Sequence, residues 1–240
     1  MTMPEEVNRI VADRFADHLL IHSDEAIENL RAEGIADERM HFVGNTMIDS
    51  LVAVEDRFRG LAACSGLGVE PGGYLLVTLH RPALVDGPLL HDAMRHLATV
   101  AETLPVVFPV HPRTRKMLGG SADAAGVRLV DPVGYLDFLS LQSGAGAIVT
   151  DSGTVQEEAS ALGVRCYTLR SSTERTITLT HGTNALLGDD PRDLVDVRPS
   201  AGAPTPCAIP LWDGHAADRA AAAVIEAFPE VAQLPEAAIA

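Results

Sequence analysis

Apolar residues near the start of the chain recur at helical spacing, with Val7, Ile10, Val11, Phe15 and Leu19 marking one face. Pro4-Glu5-Glu6 ahead of them suits a first helical turn, with proline early and carboxylates at the positive end of the dipole. Residues 18–21 then predict a short strand, and Ser23 is placed to cap a second helix that runs through Leu30 and ends at Gly34. Residues 40–43 predict another strand, followed by Gly44-Asn45 and a helix from Thr46 towards Phe58. Residues 60–73 are glycine-rich and aperiodic, which predicts a linker.

From Tyr74 the pattern becomes regular. Runs at 74–79, 106–110, 127–130, 147–150 and 166–169 are short, apolar and rich in β-formers, and stretches of helical period at 89–102, 135–142 and 154–162 lie between most of them. A last helix, 216–228, follows the proline-rich segment 204–210 and the single Trp212. Strands alternating with helices predict an α/β fold with a Rossmann-like parallel sheet covered on both faces. Architecture of this kind does not by itself specify chemistry.

Composition narrows the possibilities. The 240 residues are 47% hydrophobic and 21% charged, enough to build a sizeable core in one or two domains. No apolar run approaches the length of a membrane span, and no charged-then-apolar leader follows Met1, so a cytoplasmic protein is expected. Cys64, Cys166 and Cys207 are far apart and form no CxxC pair, which argues against a disulfide framework or a cysteine zinc site. The net charge of −15 repels nucleic acid and anionic lipid, both of which need clustered cations, so neither is expected as a partner. Lys116 is the only lysine, so a site for an anion has to be built locally from loop arginines.

Polar residues follow each predicted strand of the regular region. They are His80-Arg81, His111-Pro112-Arg113, Asp131-Pro132, Asp151-Ser152-Gly153 and the stretch from Arg170 to Arg175. In a parallel sheet these carboxyl ends share one edge, where ligands of such folds bind. Loops are polar in any protein, but five strands delivering ionisable or small polar residues to one edge is the strongest signal in the chain. Asp151-Ser152-Gly153-Thr154 joins a strand to a helix, and its small residues let backbone N–H groups approach a phosphate at the helix start. The alternative is a plain N-cap by Ser152 or Thr154. Glu158 lies one turn further on the same face, where a carboxylate can accept from a ribose diol, whereas Glu157 is expected to point elsewhere into solvent. Arg175 is placed to offset phosphate or leaving-group charge. Walker A, GxGxxG, HExxH and GxSxG motifs are absent; His18, His22, His41, His91 and His96 read as surface or packing residues, and His181 as part of a turn.

These residues resemble a known family. Pro4-Glu5-Glu6-Val7-Asn8-Arg9, Val43-Gly44-Asn45-Thr46-Met47-Ile48-Asp49, Thr78-Leu79-His80-Arg81, Pro109-Val110-His111-Pro112, Thr150-Asp151-Ser152-Gly153, Gln156-Glu157-Glu158 and Ser172-Thr173-Glu174-Arg175, with Gly182-Thr183 beyond, are similar to motifs of the UDP-N-acetylglucosamine 2-epimerases, in the same order. The resemblance implies the non-hydrolysing type, the C-terminal half of a two-domain GT-B-type fold, and a UDP-sugar substrate inverted at C2 by loss and re-addition of UDP, with neither NAD nor a metal as cofactor. It matches His80 to the active-site histidine and Glu5 to a carboxylate linked to catalysis. It also matches Ser152, Gly153 and Thr154 to the diphosphate contacts, Glu158 to the ribose, Arg175 to a phosphate and Phe138 to the uracil side, with Arg81, His111 and Asp151 as further candidates.

Two departures stand out. Pro82-Ala83-Leu84 replaces a Glu-Asn pair common after the His-Arg dipeptide, which implies altered sugar-side contacts. The chain also begins where the family's first domain is ending. Residues 1–60 are then expected to be the remnant of that domain and its crossover, 70–205 the UDP-binding domain, and 206–240 a tail and helix packing back. On that expectation the isolated chain keeps UDP affinity with slow or no turnover. Apolar faces on the helices of residues 7–34 and 216–228 are left to a second copy or a separately encoded N-terminal half. The alternatives are a glycosyltransferase of the same fold and a non-catalytic nucleotide-sugar-binding module.

Overall fold

The computed structural model describes residues 4–119, 126–200 and 205–230. The chain opens with α1 (Pro4–Phe15), β1 (Leu19–Ile21), α2 (Asp24–Ala32), β2 (Met40–Phe42) and α3 (Thr46–Ala53). Two short helices follow, α4 (Glu55–Arg59) and α5 (Ala63–Gly66). The regular region is β3 (Leu75–Thr78), α6 (Pro82–Val85), α7 (Leu89–Ala101), β4 (Val106–Pro109), α8 (Pro112–Leu118), β5 (Val127–Val130), α9 (Tyr135–Gly144) and β6 (Ala147–Thr150). It continues with α10 (Gly153–Leu162), β7 (Cys166–Thr168), α11 (Thr176–Thr180) and β8 (Asn184–Leu186), and α12 (Ala216–Ala227) comes last. Two compact units result: residues 54–209, and residues up to 53 together with those from 210 onward.

In the larger unit six strands, all parallel, lie in the order β5-β4-β3-β6-β7-β8. The chain winds outward from β3 to β5, returns to the middle at β6, and winds outward the other way to β8. Strand order therefore reverses between β3 and β6, which pair from Leu75↔Ala147 to Thr78↔Thr150. Such a reversal parts the connecting loops and leaves a crevice at the carboxyl ends of the strands. The central strands are buried on both faces, as their unbroken apolar runs require. On α7, Leu90, Ala93, Met94, Leu97 and Val100 form the buried stripe that covers the sheet.

α10 is built differently. Gln156, Glu157, Glu158 and Ser160 are all buried in it alongside Val155, Ala159 and Leu162, so it has almost no water-facing side. It ends at Gly163, whose φ of +75° is left-handed and whose missing Cβ leaves room for the Thr205 carbonyl.

The smaller unit has a parallel β1–β2 pair, packed through Leu19, Ile21, Leu30 and Ile35. Ser23 Oγ caps α2 by accepting from Ala26 N at 3.3 Å. The Asp49 carboxylate takes the N–H groups of Ala216 and Ala217, at 3.1 and 2.6 Å, and so caps α12. Arg219 donates to the Val43 carbonyl at 2.7 Å. Val7, Val11 and Phe15 on α1, Leu20 on β1, and Val224, Ile225 and Phe228 at the end of the chain's last described helix stand exposed, Phe15 by 82%.

The structure departs from expectation in several elements. The helix from Thr46 breaks at Val54, which leaves helical geometry (φ −115°, ψ 9°) and starts α4. The 60–73 stretch contains α5 behind a left-handed Ala62. α8, α11 and β8 have no counterpart in the sequence pattern. His18 and His41 are surface or packing residues as expected, and they meet each other, with Nδ1 of His18 3.0 Å from Nε2 of His41.

Replacing Gly163 by alanine forces a Cβ into the Thr205 carbonyl at a left-handed position. Gly163→Ala is expected to destabilise the larger unit by ~2–4 kcal/mol, read as a lowered urea midpoint.

Candidate active site

Asp151 follows β6 at the point of reversal and is 1% exposed. Its Oδ2 accepts from the backbone N–H groups of His80 (2.9 Å) and Arg81 (2.8 Å), which follow β3, and its Oδ1 lies 3.0 Å from His80 Nδ1. A carboxylate beside Nδ1 favours the proton on that nitrogen, which leaves the Nε2 lone pair of neutral His80 to act as a base. The hydrogen bond to Asp151 raises the His80 pKa above the ordinary 6.5, against the opposing effects of burial and the Arg81 charge. The His111 ring lies 6.4 Å from that of His80. His111 caps α8, its Nδ1 accepting from Arg113 N at 3.2 Å.

On the neighbouring loop Thr150 Oγ1 accepts from Ser152 N at 2.9 Å and turns the chain into α10. Ser152 occupies the N-cap position, yet no side chain caps the helix. Plain capping therefore does not explain Ser152 and Thr154, and the helix tip keeps backbone donors for an anion. The Arg175 side chain lies over this tip, with Nε and Cζ 3.6 and 3.8 Å from where a Cβ on Gly153 would stand. Arg175 Nε is paired with Glu157 Oε1 at 3.1 Å. This corrects the expectation that Glu157 is solvated: it is 2% exposed, because α10 is enclosed on the side where an isolated helix would meet water.

Glu158 is equally buried and faces α9. Its oxygens accept from Gln142 Nε2 (2.6 Å) and Tyr135 OH (3.1 Å), and burial raises its pKa. Tyr135 is itself pushed up to about 12, by burial first and then by the Glu158 charge. Phe138 is half-buried on α9 between Tyr135 and Gln142, at spacings that put all three on one helical face. Arg81 helps Arg170 to hold Glu174 down to about 2, so Arg81 and the 170–175 loop are electrostatic neighbours.

His80, Arg81, Asp151, Ser152, Gly153, Thr154 and Arg175 are thus gathered at one strand edge, with His111 beside them and Glu158 behind the helix tip against α9. Glu5 lies in the first turn of α1, in the smaller unit, and its side chain is outside the described residues. Sequence reasoning missed Tyr135, Gln142, Gln156 and Glu157. Gln156 and Glu157 leave a trace as polar residues of a family motif inside a helix flanked by two apolar strands, whereas Tyr135 and Gln142 on α9 leave none. Among the described residues no group of three or more His, Cys, Asp or Glu side chains is placed to hold a metal ion, and no helix is long and apolar enough to cross a membrane.

A doubly wound parallel sheet with an uncapped helix tip and an arginine at its switch point defines a Rossmann-like α/β unit; two solved structures it matches, of which it covers 65% and 55%, make it the C-terminal half of a two-domain GT-B-type fold. Residues 1–225 match the UDP-N-acetylglucosamine 2-epimerase family, and the chain belongs to it. The UDP-N-acetylglucosamine 2-epimerase of Methanococcus maripaludis is 35% identical over 206 residues, covering 81% of this chain and 56% of that protein. The UDP-2,3-diacetamido-2,3-dideoxy-D-glucuronate 2-epimerase of Pseudomonas aeruginosa is 37% identical over 199 residues, 78% of this chain and 53% of that one. Among solved structures, the Methanocaldococcus jannaschii UDP-GlcNAc 2-epimerase in complex with UDP-GlcNAc and UDP superposes with a TM-score of 0.76 at 30% identity, covering 93% of this chain and 65% of that one. The chain spans about half the length of the curated relatives it matches.

The His80–Asp151 pair sets a pH dependence. A histidine whose native pKa is raised contributes stability that is fully present below 6.5 and is lost as pH rises through the native value. Asp151→Asn is expected to lower the His80 pKa and flatten that dependence, read by NMR titration of the imidazole and by unfolding between pH 5 and 8.

Proposed function

We propose that this chain carries the UDP-binding, histidine-bearing half of a UDP-N-acetylglucosamine 2-epimerase that acts in the cytosol. The carrying observation is the Arg175 guanidinium seated over the open tip of α10. Epimerisation at C2 requires a C2 proton to leave with UDP, giving an enol-ether sugar, and a proton to return on the other face as UDP adds back. The helix tip, through Ser152, Gly153 and Thr154, together with Arg175 suits the departing diphosphate, whose charge grows as the C–O bond breaks. Glu158 suits the ribose hydroxyls and Phe138 the uracil. Tyr135 OH sits on Glu158 Oε1 as a ribose hydroxyl would, so nucleotide binding exchanges one hydroxyl for another.

His80, with Nδ1 tied to Asp151, presents Nε2 for proton transfer at the sugar or the leaving oxygen. Arg81 and His111 flank that position. Glu5 is assigned to catalysis on the resemblance alone. The departure at Pro82-Ala83-Leu84 points to a sugar pocket of its own within the family, and the Pseudomonas relative is named for a different UDP-sugar. The exposed apolar residues of α1 and α12 support a covering partner, either a second copy or a separately encoded N-terminal half.

Calorimetry is expected to show UDP binding to the wild-type chain, weakened roughly 10- to 100-fold by Glu158→Ala and by Arg175→Ala. UDP-N-acetylmannosamine formed from UDP-N-acetylglucosamine with no acceptor present identifies an epimerase. Binding without turnover, even with an N-terminal half of a family member supplied in trans, identifies a non-catalytic module. Sedimentation velocity is expected to show self-association through the exposed faces, and a strictly monomeric species that binds no apolar dye would remove the case for a covering partner.

A further inference from the structure

Arg175 is held at three points, by half-buried Thr173 and by buried Thr178 and Glu157, which no ligand contact explains. Its backbone N–H donates to Thr173 Oγ1 at 3.0 Å, and Thr173 Oγ1 in turn donates to Gln156 Oε1 at 2.6 Å. Its carbonyl accepts from Thr178 Oγ1 at 2.6 Å. Asn184 Nδ2 donates both to that hydroxyl (3.0 Å) and to Gln156 Oε1 (3.1 Å), while Asn184 Oδ1 accepts from Thr168 Oγ1 at 2.7 Å. Every proton in this chain of bonds has one consistent direction, which fixes the amide orientations of Asn184 and Gln156. The third point is Nε, paired with the buried Glu157. Gln156 and Glu157 are fully buried on α10, the helix whose tip Arg175 covers, so tip and guanidinium are held by one rigid element.

We propose that Gln156 and Glu157 are positioning residues that set Arg175 over the α10 tip before any ligand arrives, Gln156 through the backbone of the 173–178 turn and Glu157 through the guanidinium itself. The diphosphate role of Arg175 rests on the function proposed above; the positioning does not. A long flexible side chain loses conformational freedom when it grips an anion, and holding it beforehand moves that cost from binding to folding. Glu157 also gives the buried end of the guanidinium a counter-charge in the unliganded site, as a buried cation requires.

The test uses the full chain with ¹⁵N-labelled arginine and the Arg175 Nε–H signal assigned by its loss in Arg175→Lys. Without ligand, that buried proton is expected to exchange slowly beside the Glu157 charge, and to lose protection in Glu157→Gln and in Glu157→Ala, which both remove the counter-charge. UDP affinity is expected to fall roughly tenfold in Gln156→Leu and in Thr173→Val, but by less than about twofold when either is added to Arg175→Ala. Thr173→Val keeps the test open should Gln156→Leu fail to fold. Equal losses in both backgrounds, which a purely structural role would give, overturn the proposal, as does an unprotected Nε–H in the wild type. A wild-type chain that binds no UDP yet keeps a protected, Glu157-dependent Nε–H refutes the UDP reading and supports the positioning.

Discussion

A carboxylate shut away from water must find donors, and Asp151 finds them in a loop that belongs to another strand. Two backbone N–H groups and the His80 imidazole converge on it, so the connections after β3 and β6 are tied together where strand order reverses and would otherwise part. From that tie follow the tautomer of His80, the direction in which the chain leaves β6, and the position of the α10 tip. Removing any one partner leaves a buried charge under-solvated, which is why the arrangement behaves as a unit.

Behind the tip, α10 does what a surface helix does not. Its polar residues fan out in successive directions, Gln156 to the 173–178 turn and Asn184, Glu157 to Arg175, Glu158 to α9. Gln156 and Glu158 accept from named donors and Glu157 pairs with a cation, so the polar side of a helix buried in the larger unit is held by directional bonds and one ion pair. In a chain of net charge −15, the anion site proposed at this tip would be made locally in the same way. Arg175 is held there beside Glu157, whose own charge is buried.

The sheet was legible in the sequence because its strands are short β-rich runs bounded by turns, and α7 because Leu90, Ala93, Met94, Leu97 and Val100 keep strict helical period. The strand-edge residues were legible for the same reason: parallel topology sends every carboxyl end to one side. β8 was not, because Asn184–Leu186 has little strand character of its own and is ordered by pairing with β7. Glu157 was misread because helical periodicity reserves a face for water, and nothing local tells that neighbours close over it. The particular roles given to Phe138, Glu158 and Glu5 came from family resemblance, not from periodicity or spacing.

The smaller unit is assembled from the two ends of the chain. Asp49 waits for Ala216 and Ala217, and the Val43 carbonyl for Arg219. On a ribosome the roughly 150 residues between those ends take roughly 10–30 s to emerge. The contiguous sheet unit has all its own residues in hand before the final helix exists, whereas the first fifty residues, Phe15 among them, must wait unfinished. Folding order is thus written into the connectivity: a segment synthesised before the sheet unit is completed only after it.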